Sequence, residues 1–158
     1  LLGSGTIFRE VIAAADLLKQ DWGVDADLWG CPSFNELARN GNDVQRWNLL
    51  NPAEKPKLSH VENCLNDTRG PVVAATDYIR LFSEQIRPFV NRRYVTLGTD
   101  GFGRSDTREK LRHFFEVDRR WITLAALKAL ADDGEIDRSK VAEAILKYGI
   151  DVNKPNPM

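Results

Sequence analysis

The sequence predicts an α/β domain: a mostly parallel, open sheet with helices on both faces, in three layers. Three observations carry that prediction. Short apolar runs of strand length alternate with segments of helical periodicity. One of those runs, Pro71 to Thr76 (PVVAAT), is apolar at successive positions and does not alternate, as in strands covered on both sides. Helix starts are marked by polar caps immediately after the strands, as βα units require.

Taken in order, Leu1-Leu2-Gly3-Ser4-Gly5 reads as the end of a buried strand. It lacks a Met, so the chain is expected to be a piece of a longer polypeptide, its residues 1–158 forming one domain. Ile7, Val11, Ala14, Ala15 and Leu18 then recur at helical spacing, predicting a helix from Thr6 to about Gln20 that ends at Trp22-Gly23. Ala26 to Ser33 (ADLWGCPS) reads as a short buried strand. Ser33 and Glu36 form an S-x-x-E capping box for a helix from Phe34, with a break expected at Gly41 before it resumes to Leu50. Asn51 to Pro56 holds two prolines and is a connector. A short helix, Ser59 to Leu65, and a turn, Asn66 to Pro71, lead into the PVVAAT strand. Tyr78 to about Arg87 is expected to be helical, with Ile79, Phe82 and Ile86 on one side. After the strand Tyr94–Leu97, Asp106 and Glu109 open a helix carrying Leu111, Phe114 and Phe115. Asp118 caps Arg119 to Ala131, Gly134 stops it, and Asp137 caps the last helix with Ile136 and Val141 as a hydrophobic staple.

Composition excludes several classes. Lys and Arg number 22 against 23 Asp and Glu, so no basic excess exists to neutralise nucleic-acid phosphates or an anionic membrane. No apolar run reaches the ~20 residues of a membrane span. Cys31 and Cys64 lack CxxC spacing and fit a reducing, cytoplasmic compartment.

Gly3-Ser4-Gly5-Thr6-Ile7-Phe8 has G-x-G-x-x at a strand-to-helix junction, with Asp25 and Asp27 near the place of a ribose-binding acid. Phe8 stands where the third glycine of a dinucleotide fingerprint belongs, and its ring prevents close helix–strand packing. The turn is read as a plain βα turn; an independent dinucleotide-, phosphate- or regulatory ligand-binding module using Gly3–Thr6 is the competing reading. His60 and His113 have no partner at metal-ligand spacing, and Ser105 has no G-x-S-x-G frame. Asp106 and Glu109 are helix-start acids favoured by the macrodipole.

The loop Gly98, Thr99, Asp100, Gly101, Phe102, Gly103, Arg104, Ser105, Asp106 is the candidate site. A large ring between two glycines, at a loop tip, with Arg104 and Asp106 beside it, is interface chemistry: Phe102 is expected to be tucked back or pressed on another surface. Asp100-Gly101 resembles the end of a thiamine-diphosphate Gly-Asp-Gly motif. Thr99 replaces its first glycine, and no Asn follows between Leu97 and Asp151, so no such site can be completed here.

SFNELARNGNDVQRWNLLNP, TDYIRLFSEQIRPFV, VTLGTDGFGRSDTREKLRHFFEVD and the closing GEID, VAEAI, YGID and NPM together resemble one family. They are similar to the carboxy-terminal domain of the homodimeric bacterial pyruvate dehydrogenases, and more distantly to the third domain of transketolases. The resemblance implies a three-domain parent that decarboxylates pyruvate and reductively acetylates a lipoyl group carried by a dihydrolipoyl acetyltransferase partner. It implies thiamine diphosphate and Mg²⁺ in the first two domains, and no catalytic, cofactor or metal residues in the third. That third domain packs on the other domains of its own chain and on the homodimer partner.

Overall fold

The computed structural model describes all residues, 1–158. Four parallel strands form one sheet in the order β2-β1-β3-β4: β1 Leu2–Gly3, β2 Trp29–Gly30, β3 Val72–Ala75 and β4 Tyr94–Leu97. Leu2 pairs with Trp29 on one side and Ala74 on the other, so the first strand lies inside the sheet. The helices are α1 Phe8–Trp22, α2 Phe34–Leu50, α3 His60–Leu65, α4 Arg80–Glu84, α5 Arg108–Phe114, α6 Arg119–Asp132 and α7 Ser139–Lys147.

The residues of β3 show why both faces are covered. All four are buried, and they point alternately to two cores. Val72 and Ala74 join Leu2, Phe34, Ala38, Val61, Leu65, Ile86, Phe89 and Tyr94 beneath α2 and α3. Val73 and Ala75 face the other way, toward Leu18, Leu127 and Ala144 and toward Ile7, Val11 and Ile122. The result is the three-layer α/β/α arrangement expected.

Local signals explain most of the boundaries. Ser33 accepts the Glu36 amide proton, and a full reciprocal capping box closes Ser59 and Glu62. Asp118 Oδ1 accepts from the amides of Arg120 and Trp121. Gly23 ends α1 in the left-handed conformation that glycine tolerates best, at φ 66°. Asp137 Oδ1 accepts the Ser139 amide at 2.8 Å, and Ile136 and Val141 each pack against the core.

Three expectations fail, each for a non-local reason. The strand at Ala26–Ser33 is only Trp29–Gly30, because its neighbour β1 offers two residues to pair with. The helix expected from Tyr78 starts at Arg80, ends at Glu84, and gives way to a 3-10 turn at Arg87–Phe89. Tyr78 lies in a bend and Ile79 is extended, both with exposed side chains, and the Tyr78 carbonyl accepts from the Thr99 amide at 2.9 Å. The break at Gly41 is absent: α2 runs through it, and the glycine instead admits a ring from across the core. A Cβ there would lie 2.3 Å from the Phe89 ring. Gly41→Ala is therefore expected to destabilise the fold. Overpacking costs about 1–3 kcal/mol, against at most about 1 kcal/mol gained in helix propensity. Urea unfolding should show a lower midpoint with an unchanged slope.

No helix is long and apolar enough to cross a membrane.

Candidate functional site

The Gly98–Asp106 loop leaves β4 at the carboxyl end of the sheet and enters α5 through its cap, Thr107. Its two halves behave differently. The first half is built into the domain. Gly98 has no room for a side chain, because a Cβ would lie 2.7 Å from both the Arg80 amide nitrogen and the Tyr78 carbonyl. Thr99 donates its amide to Tyr78 and its hydroxyl, at 2.6 Å, to the Asp77 carbonyl. Asp100 accepts the Arg80 amide at 3.0 Å on one oxygen and the Arg80 guanidinium on the other. That carboxylate is thus the missing N-terminal cap of α4, supplied from 20 residues away.

The second half faces solvent. Gly101 takes φ 92°, a conformation that L side chains rarely adopt. Phe102 is 91% exposed and touches nothing that would tuck it back. Gly103 has open space around it, and Ser105 is exposed. The Arg104 guanidinium lies 4.8 Å from the centre of the Phe114 ring, within cation–π range. Asp106 accepts the Thr107 amide at 2.7 Å and lies 3.7 Å from Lys110, which is helix-start work. Tyr78, Leu81 and Met158 are further exposed apolar side chains at this end of the sheet.

The chemistry of the loop does not suit a metal. Both Asp100 oxygens are already engaged by Arg80, and no group of three or more His, Cys, Asp or Glu side chains is arranged to hold an ion. The residues present therefore do not fit a thiamine–Mg²⁺ site. Contrary to the sequence reading, the two histidines do have partners, each within five residues of the chain. His60 Nε2 lies 3.4 Å from Cys64 Sγ one turn along α3, and His113 Nδ1 lies 3.2 Å from Asp118 Oδ2.

The Gly3–Thr6 turn spends its polar groups internally. Ser4 donates its hydroxyl to buried Thr76 at 2.7 Å, and Thr6 donates to the Asp77 carboxylate at 3.2 Å. That carboxylate also lies 3.2 Å from where a Gly5 Cβ would be. A negative group thus sits where a phosphate would approach, which opposes anion binding. Asp25, one of the two acids placed near a ribose, pairs with Lys19 at 2.7 Å.

One charged cluster escaped the sequence reading. Glu10 of α1 is 6% exposed and accepts from Arg112 at 2.9 Å. It also accepts from the Arg119 amide and guanidinium at 2.9 to 3.2 Å. The trace of it in the sequence is that Glu10 falls on the apolar stripe of α1, three residues after Ile7 and four before Ala14. An acid there must have a buried partner.

Comparison with known proteins adds three relatives, each named pyruvate dehydrogenase E1 component. That of Cupriavidus necator is 77% identical over 158 residues, covering 100% of this chain and 18% of the relative. That of Pseudomonas aeruginosa is 63% identical over 159 residues, with the same coverages. That of Escherichia coli K12 is 52% identical over 158 residues, covering 99% of this chain and 18% of the relative. The chain thus spans about a fifth of the length of these relatives. The family model for the transketolase-like TK C-terminal domain matches residues 1–118. With a four-stranded parallel sheet covered on both faces beneath that match, the chain belongs to the transketolase-like C-terminal domain family.

Proposed function

We propose that this chain is the accessory, structural domain of a pyruvate dehydrogenase, docking through Gly98–Asp106 onto another domain or subunit of the longer, homodimeric protein. The observation that carries the reading is Phe102: a bare ring on a loop whose base is braced from within. Rigid support with an exposed aromatic tip is how an anchor residue is presented to a partner. Relatives that match the whole chain at 52 to 77% identity are more than five times its length, so most of such a polypeptide lies outside these residues. In the parent, pyruvate is decarboxylated and a lipoyl group of the acetyltransferase component is reductively acetylated. Thiamine diphosphate and Mg²⁺ are held by the other domains, and the homodimer partner adds to the surfaces this domain meets. The acetyltransferase contact belongs to the parent and not to this loop. A cytoplasmic setting suits the two free thiols, Cys31 and Cys64.

Phe102→Ala in the full-length protein tests this. Loss of a buried aromatic anchor is worth about 2 kcal/mol, or roughly 30-fold in association. Sedimentation should show weaker assembly, with activity falling in parallel. The isolated chain should keep its stability within about 0.5 kcal/mol, as for other surface substitutions. Unchanged assembly, or an equal loss of stability in the isolated chain, would sink the docking reading.

A further inference from the structure

The closing segment, Asp151 to Met158, is fastened to the domain at a definite point. Lys154 has a side chain only 13% exposed. Its ammonium donates to the Phe114 carbonyl at 2.8 Å and to Glu116 at 2.9 Å. It also lies 5.3 and 5.6 Å from the centres of the Phe114 and Trp121 rings. A buried ammonium needs this many partners to offset its lost hydration. Glu116, which receives it, is the one non-glycine residue with positive φ, at 61°. The backbone there is held in a sparsely populated region while presenting its carboxylate to Lys154. Before the anchor, Asp151 closes a turn by accepting the amides of Asn153 and Lys154.

Beyond the anchor, the last residues lie along the candidate loop. A Cβ on Gly101 would fall 2.9 Å from the Pro157 carbonyl oxygen and 3.3 Å from the Met158 Cα. Met158 sulfur lies against the Arg80 guanidinium, the group that also binds Asp100. Arg80 therefore joins the loop and the closing segment through one side chain. Gly101 is required twice, by its φ of 92° and by the closeness of that segment.

We propose that residues 151–158 are a latch that holds the Gly98–Asp106 loop in its docking shape, with Met158 completing the apolar face of Tyr78, Leu81 and Phe102. This rests on the docking reading above, and the occupant is the same: an apolar surface of the remaining part of the longer polypeptide. Such a latch lowers the cost of ordering a glycine-rich tip, which is among the costliest to order, when it meets its partner.

Two full-length variants test it, one lacking residues 155–158 and one with Lys154→Ala, each followed by hydrogen exchange over peptides spanning 98–106 and by sedimentation. Exchange in those peptides should rise at least about tenfold, with assembly weakened in the same direction as by Phe102→Ala. Gly101→Ala adds a second measure: it should disturb assembly less in the shortened chain than in the intact one, because the clash with residues 157–158 is gone and only the φ requirement remains. Unchanged exchange in both variants, or equal effects of Gly101→Ala in the two backgrounds, overturns the latch. Faster exchange combined with an inert Phe102→Ala supports the latch and removes the docking reading alone.

Discussion

Glu10→Gln should unfold at markedly lower denaturant concentration than the parent sequence, with a loss of about 3 kcal/mol. Removing one member of a buried charge group costs about 3–5 kcal/mol, because the partners stay behind without compensation. The lower end applies here: the Arg119 side chain is 49% exposed and can recover water, whereas Arg112 is 17% exposed and cannot. The cluster joins α1, α5 and the start of α6, so its loss should also loosen the helix that leads out of the candidate loop.

The same carboxylate gives the fold a pH signature. Burial pushes the Glu10 carboxyl upward, but hydrogen bonds from Arg119 and the charges of Arg119 and Arg112 outweigh it, leaving it below its ordinary value. A group whose folded value is depressed contributes stability that is complete above its unfolded value, about 4.3 for Glu. That contribution is lost as pH falls through the folded value. The stability gap between the parent chain and Glu10→Gln should therefore hold from neutral pH to about 5 and narrow below about 4.3. A gap that persists undiminished into strong acid would show that the substitution acts by packing alone.

Leu127→Ala is the second large effect. Leu127 is 0% exposed and packs between α6 and the sheet with Leu18, Val73, Ala126 and Ala144. Truncating a buried Leu costs about 2–5 kcal/mol through lost transfer energy and the cavity left behind. In a domain of this size each kcal/mol lowers Tm by about 2–4 °C, so calorimetry should find a drop on the order of 10 °C. Leu146→Ala on α7 is the control, since that side chain is 81% exposed. Its effect should stay within about 0.5 kcal/mol. Comparable losses at the two positions would mean that α7 is buried more deeply than the chain alone shows.

Neither of these two residues stood out in the sequence, and the contrast with what did is physical. Features with a signature in adjacent residues were read correctly: the Ser33 and Asp118 caps, the Gly23 stop, and the unbroken apolar run of the doubly covered strand at Val72–Ala75. Features set by distant partners were not. Gly41 reads locally as a helix breaker, yet its role is to admit Phe89. Tyr78 and Ile79 have helical periodicity, yet α4 begins after them because its cap is Asp100. In the candidate loop the sequence showed a polar, glycine-punctuated turn with one conspicuous ring. It did not show that Thr99 and Asp100 are committed to the domain, or that Gly101 faces the closing segment. Tertiary contacts of that range leave no periodic trace in the chain.

The position of β1 in the middle of the sheet bears on how the protein is made. Its residue Leu2 pairs with Ala74, and the neighbouring Ser4 and Thr76 hydroxyls meet across 72 positions of sequence. At a ribosomal rate of roughly 5–20 residues per second, β1 waits about 4–14 s for β3 to be synthesised. During that interval only the β2 side of the strand can be satisfied, and Leu2 lacks the β3 side of its core. Slowing translation between Gly30 and Val72 would lengthen the exposure, and yield of soluble protein would be sensitive to codon choice there more than in the helical second half.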